Sequence, residues 1–197
     1  MLLLILLAAL LSFLLTGAAT WYAKRRGLVD HPGERHSHTE PTPRGGGAGW
    51  VLAFFLFIAA EWAIAGPGYL AFGGLAFVLG GMAVLAALGW WDDHHDLDAR
   101  LRAAVQLIVS GALVAAFARH GWIDGWWYGA AAVLFTAWMV NLYNFMDGSN
   151  GMAGTQGLFV FALLAWLFAR AEDFAGLNLA LLLMACCAGF LPWNLGR

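Results

Sequence analysis

Asn141-Leu-Tyr-Asn-Phe-Met-Asp-Gly-Ser-Asn-Gly-Met-Ala-Gly154 follows directly on a long apolar run, and its Asn141, Asn144, Asp147 and Asn150 recur every third residue. Residues three apart stack along one face of a helix, so the stretch reads as a polar stripe at the mouth of a membrane helix. Gly148, Gly151 and Gly154 repeat at the same interval, which is expected to leave backbone accessible to a ligand. The expected ligand is polar and charged.

The chain around this stretch is 62% hydrophobic and 11% charged, with 11 Trp and 14 Phe in 197 residues, far too apolar for an ordinary soluble domain. A net charge of -2 without a large basic cluster excludes a nucleic-acid footprint. Cys186 and Cys187, the only cysteines, are adjacent in an apolar stretch and can build neither a disulfide framework nor a zinc-ligand spacing; they read as buried small apolar groups. In the first 22 residues no basic residue precedes the apolar run, whereas Lys24, Arg25 and Arg26 follow it. That order fits a retained membrane helix better than a cleaved leader.

At about 20 apolar residues per crossing, seven spans emerge: 2–22, 48–65, 68–89, 101–118, 126–145, 155–170 and 174–191. Runs of this length without strand alternation are helical. The expectation is an all-α polytopic helix bundle with about seven transmembrane helices, residues 1–197 forming a single integral membrane domain. The loops 23–47, 90–100 and 146–154 are polar. On their side lie Lys24, Arg25, Arg26, Arg35, Arg44, Arg100, Arg102 and Arg197, against Arg119 and Arg170 on the other. Eight basic residues against two put the polar loops in the cytoplasm and the N-terminus outside. Gly73, Gly74, Gly80 and Gly81 fit close helix packing, and tryptophans near span ends fit an interfacial belt.

Gly89-Trp-Trp-Asp-Asp-His-His-Asp-Leu-Asp98 places four carboxylates and two imidazoles at the cytoplasmic end of the third span. If the helix continues through it, Asp92 and Asp96 share a face, and Asp93 points about 100° away. Adjacent carboxylates repel each other unless a cation sits between them. A hard divalent cation such as magnesium takes oxygen ligands and leaves room for phosphate oxygens. Asp98 reads as a solvated charge, whereas Asp92 and Asp93, directly on the membrane surface, read as functional and, with Asp147, as one metal-phosphate centre. In the first loop, His31-Pro-Gly-Glu-Arg-His-Ser-His-Thr-Glu-Pro-Thr-Pro-Arg-Gly-Gly-Gly47, the prolines forbid a continuous helix. Its Arg and His side chains can donate to phosphate oxygens, and the glycines after Arg44 open a helix N-terminus that favours an anion.

Val29-Asp-His-Pro, Arg35, His38, Pro41-Thr-Pro-Arg-Gly-Gly-Gly47, Trp91-Asp-Asp93 and Asn141-Leu-Tyr-Asn-Phe-Met-Asp-Gly148 together closely resemble the polyprenyl-phosphate N-acetylhexosamine-1-phosphate transferases of glycosyltransferase family 4. The undecaprenyl-phosphate N-acetylglucosamine type is the nearer one. The resemblance implies transfer of N-acetylhexosamine-1-phosphate from a UDP-sugar to polyprenyl phosphate, releasing UMP. This is the initiating step of envelope polysaccharide synthesis, carried out with magnesium, or manganese in its place. It implies a multi-pass protein of the bacterial cytoplasmic membrane, active on the cytoplasmic side, and admits a homodimer. Carried over by motif, Asp92 and Asp93 match the catalytic acidic pair, with Asp92 and Asp147 as metal residues. His38, Arg44, Asn144, Asp147 and Asn150 match substrate-binding positions.

Two departures stand out. Asp147-Gly-Ser-Asn-Gly151 stands where members commonly read Asp-Gly-Ile-Asp-Gly, so position 150 keeps hydrogen bonding but loses a carboxylate. Members also continue past a Phe-Leu-Pro-x-Asn stretch like Phe190-Leu-Pro-Trp-Asn194 into a further Asp motif and a His-rich loop. The chain therefore reads as a family member truncated at the C-terminus. A non-catalytic fragment is one alternative. A transporter is another, for which Glu61 is the one carboxylate approaching a span interior.

Overall fold

The computed structural model of the chain describes residues 2–30, 42–66, 74–146 and 151–195. Seven helices account for nearly all of them: α1 Leu2–Arg26, α2 Gly47–Ala65, α3 Leu75–His95, α4 Ala99–Arg119, α5 Trp126–Met146, α6 Met152–Arg170 and α7 Phe174–Leu195. Two two-residue strands, β1 Val29–Asp30 and β2 Thr42–Pro43, pair antiparallel with Val29 opposite Pro43. All helices but α5 are long and apolar enough to cross a membrane. The 21 residues of α5 carry no charge, but Trp and Tyr crowd its first turn and two Asn its last turns. The expected polytopic helical bundle is the observed one.

The apolar runs account for the helices directly. Only backbone that satisfies its own hydrogen bonds persists in hydrocarbon, and these segments hold no run of breakers. Large side chains remain exposed along them, among them Leu10, Phe77, Ile108, Trp138 and Phe159. Aqueous solvent does not tolerate apolar surface on that scale. The tryptophans Trp21, Trp62, Trp90, Trp91, Trp122, Trp126 and Trp127 are exposed close to helix ends, as an interfacial belt requires. At the end of α1 the Arg25 guanidinium lies 4.0 Å from the Trp21 ring centroid.

The chain divides into two compact units, one of Met1–Tyr69 with Met146–Arg197 and the other of Leu70–Phe145. In the first, α7 packs against α1, α2 and α6. Small residues let the backbones approach, the main source of cohesion where lipid is as apolar as the side chains. A Cβ on Gly189 would collide with the Ala9 carbonyl of α1, and one on Gly49 with the Thr16 backbone. Ser12 Oγ donates to the Cys186 carbonyl at 2.6 Å, a bond of about 1 kcal/mol between membrane helices. Trp193 Nε1 donates to the Phe13 carbonyl at 2.9 Å. Thus α1 is fastened into the unit, with Ala8, Ser12, Thr16 and Ala23 buried. Cys186 and Cys187 are free thiols buried in α7, as read from their surroundings.

Glu61, the residue that suggested an ion path, accepts from Asn178 Nδ2 at 2.9 Å and so ties α2 to α7. In the second unit α3 packs on α4. Gly74 and Gly81 fulfil the packing expectation: their Cβ positions would lie 2.9 Å from Phe117 and 3.0 Å from Val109. Gly80 faces open space, and Gly73 lies outside the described residues.

Candidate functional site

The acidic segment is built by the turn between α3 and α4. Nothing in Trp90-Trp-Asp-Asp-His-His95 breaks a helix, so α3 runs six residues past the expected end at 89. The helix then stops. Asp96 adopts a left-handed conformation, φ 44°, which Asp tolerates better than most residues, and its N–H closes on the Asp92 carbonyl at 3.0 Å. Asp96 is therefore a C-cap and not a facial partner of Asp92, because the helix does not continue through it. Asp98 is the N-cap of α4, its Oδ1 accepting from the Arg100 N–H at 3.0 Å. The carboxylate read as merely solvated thus starts a helix.

Asp92 is held at three points. Besides its carbonyl, Oδ1 accepts from the Leu97 N–H at 2.9 Å and Oδ2 from Arg102 Nη1 at 2.5 Å. The Asp92 and Arg102 side chains are 20% and 36% exposed, so the pair contributes about 0.5 kcal/mol to stability and mainly sets orientation. Arg102, one turn into α4, entered the sequence reading only as one of the counted basic residues. A cation one turn inside the helix after a capped turn was the available signal.

His94 Nδ1 donates to the Trp90 carbonyl at 2.8 Å, with the two rings tilted by 43° at 4.6 Å between centroids. His95 Nδ1 donates likewise to the Trp91 carbonyl at 3.4 Å, but those two rings meet edge-on at 6.2 Å between centroids. The imidazoles thus bond back to the carbonyls of the last turns of α3.

Asn141 and Asn144 are exposed on α5, three residues apart within one helix, so the first half of the polar stripe is helical as expected. Asp147 and Asn150 lie outside the described residues, as does His38. Of the glycine repeat, Gly148 also lies outside the described residues, and Gly151 and Gly154 behave otherwise than expected. Gly151, φ 69°, is the left-handed N-cap of α6, and its N–H donates to the Asn194 carbonyl at 3.1 Å. Gly154 N–H donates to Asn194 Oδ1 at 3.3 Å, and a Cβ there would lie 2.9 Å from Leu191. Both glycines are buried against α7, so they serve a turn and a helix contact instead of leaving backbone open to a ligand. The fully buried Asn194 was not singled out as a site residue.

Arg44 follows β2, and its N–H donates to the Leu28 carbonyl at 2.9 Å. The amides of Ala48 and Gly49 at the start of α2 donate to the Gly45 and Gly46 carbonyls at 3.1 and 3.2 Å. These two are spent within the backbone and not held out to an anion. Among the described residues no three His, Cys, Asp or Glu side chains converge as a metal cluster. Within them, Asp92 already has a cation, supplied by the chain.

Residues 75–197, from α3 to beyond α7, match the family described as Glycosyl transferase family 4. The chain belongs to that family. The matched region contains Asp92, Asp93, Asn144, Asp147 and Asn150, while His38 and Arg44 precede it. The chain is also similar to the decaprenyl-phosphate N-acetylglucosaminephosphotransferase of Mycobacterium tuberculosis, 30% identical over 96% of this chain and 52% of the relative. It is 31% identical to the undecaprenyl-phosphate alpha-N-acetylglucosaminyl 1-phosphate transferase of Thermotoga maritima, over 95% of this chain and 55% of that protein. The Escherichia coli K12 protein of the same name is 29% identical over 88% and 48%. The chain spans about half the length of these relatives.

Proposed function

We propose that this family 4 member transfers N-acetylhexosamine-1-phosphate from a UDP-sugar to polyprenyl phosphate and releases UMP. The observation that carries the reading is the pair Asp92 and Asp93 in the last turn of an apolar 21-residue helix, inside the region that matches the family. A lipid phosphate acceptor accounts for acidic and polar chemistry at a membrane surface. The relatives whose names specify polyprenyl-phosphate N-acetylglucosamine phosphate transfer support the same acceptor and transferred group.

In this reaction an oxygen of the lipid phosphate attacks the β-phosphorus of the donor, forming the new P–O bond as the bond to the UMP oxygen breaks. Such transfers need positioning and charge neutralisation more than covalent help. Asp92 and Asp93 are the proposed catalytic pair, and Asn144, with its exposed amide three residues before Asp147, is proposed to bind the donor. By resemblance His38, Arg44, Asp147 and Asn150 are assigned to the substrate phosphates and nucleotide. The donor set of carboxylate and amide oxygens, without a thiolate, suits magnesium or manganese, which Asp92 and Asp147 are proposed to hold. When bound, the cation would offset the negative charge of the diphosphate.

We further propose that the polar loops face the cytoplasm of a bacterial inner membrane, on the strength of the basic-residue asymmetry. The test is UMP release by the full-length protein from a set of UDP-N-acetylhexosamines with undecaprenyl phosphate and magnesium. It is run in inside-out and right-side-out vesicles, since UDP-sugars do not cross bilayers. Turnover confined to inside-out vesicles is expected. Turnover confined to right-side-out vesicles would reverse the orientation, and none in either would overturn the transferase reading.

A further inference from the structure

We propose that Arg102 is a positioning residue for this reaction, fixing the Asp92 carboxylate in the orientation the site uses; the proposal rests on the transferase reading above. Two adjacent carboxylates at the end of α3 repel each other, and the sequence alone pointed to a bound divalent cation as the remedy. The structure shows that the chain supplies a cation of its own, the Arg102 guanidinium 2.5 Å from Asp92 Oδ2.

Two donors from different elements hold the carboxylate. The Leu97 N–H of the turn takes Oδ1, and Arg102 of α4 takes Oδ2. With one donor the carboxylate could still rotate; with two its plane is fixed. A carboxylate offers about four lone-pair sites, so one on each oxygen remains, in directions set by the turn. The register of Arg102 is set in turn by the Asp98 N-cap, since the Arg102 N–H donates to the Asp98 carbonyl at 3.1 Å in the first turn of α4. Asp96, Leu97, Asp98 and Arg102 thus form one device whose product is the placement of Asp92.

A partly exposed ion pair does little for folding, whereas misplacement of a reacting group by about 1 Å can cost about 100-fold in rate. The two roles therefore separate experimentally. In the full-length protein, Arg102→Met is expected to lower kcat for UMP release about 100-fold. KM for the UDP-sugar should stay within about twofold and the unfolding temperature within about 2 °C. Arg102→Lys, which keeps the charge but loses the planar fork, should recover a large part of the rate.

Wild-type kcat in Arg102→Met would overturn the positioning role and leave the transferase reading standing. So would a raised KM at unchanged kcat, which marks direct substrate binding, or equal loss in Met and Lys variants with a lowered unfolding temperature, which marks a structural role. Absence of UMP release by the unmutated protein would overturn the transferase reading, and the positioning role with it.

Discussion

α7 and α3 are nearly equal in length, 22 and 21 residues, and both are apolar along most of it. Yet eight residues of α7 are buried and only Leu75 of α3 is. α7 is packed by α1, α2 and α6, with the α1 backbone close enough to forbid a side chain at Gly189 and the α7 side chains Leu191 and Asn194 closing on Gly154, and it carries no charged residue. α3 packs on α4 within its unit and ends in Asp92, Asp93, His94 and His95. The difference separates cohesion from chemistry: small residues and hydrogen bonds hold one unit together, and the other places carboxylates at its end through a turn.

Substitutions in α1 and α7 test whether close backbone contact holds the first unit together. The largest effect is expected at Gly189, where a side chain would meet the Ala9 carbonyl and Ser12 of α1. Gly189→Val should destabilise the protein by about 3 kcal/mol or more, read as loss of monodisperse protein in detergent. A normally folded Gly189→Val would mean that α1 and α7 are not held by backbone contact. The smallest effect is expected at Thr16, fully buried in α1, whose hydroxyl has no partner among the described residues. Thr16→Val removes an unsatisfied polar group at almost constant shape. It should leave the unfolding temperature unchanged or raise it by a few degrees, and a clear drop would show that the hydroxyl is bonded.

The helices were legible in the sequence because an apolar run of about 20 residues permits little else in a bilayer. Their ends were less so. An evenly apolar run has no phase, and Trp90-Trp-Asp-Asp-His-His95 looks like a loop by polarity while containing nothing that stops a helix. Asp92 and Asp93 stood out as charges at a membrane boundary, and the family match includes them. The partner of Asp92 did not stand out, because it depends on a left-handed residue at 96 that redirects the chain. The glycines at 151 and 154 were misread because what covers them, Leu191, Asn194 and Leu195, lies about 40 residues further along the chain.

The proposed assignment of Asp92, Asp93 and Asp147 to the phosphoryl transfer separates chemistry from folding at the end of α3, where the partly exposed Asp92–Arg102 pair contributes little to stability. Its most direct test is magnesium-dependent UMP release by the full-length protein carrying Asp92→Asn, Asp93→Asn or Asp147→Asn, with unfolding temperatures measured on the same preparations. Release should be abolished in each, with the unfolding temperature close to that of the unmutated protein; wild-type rates in all three would overturn the assignment.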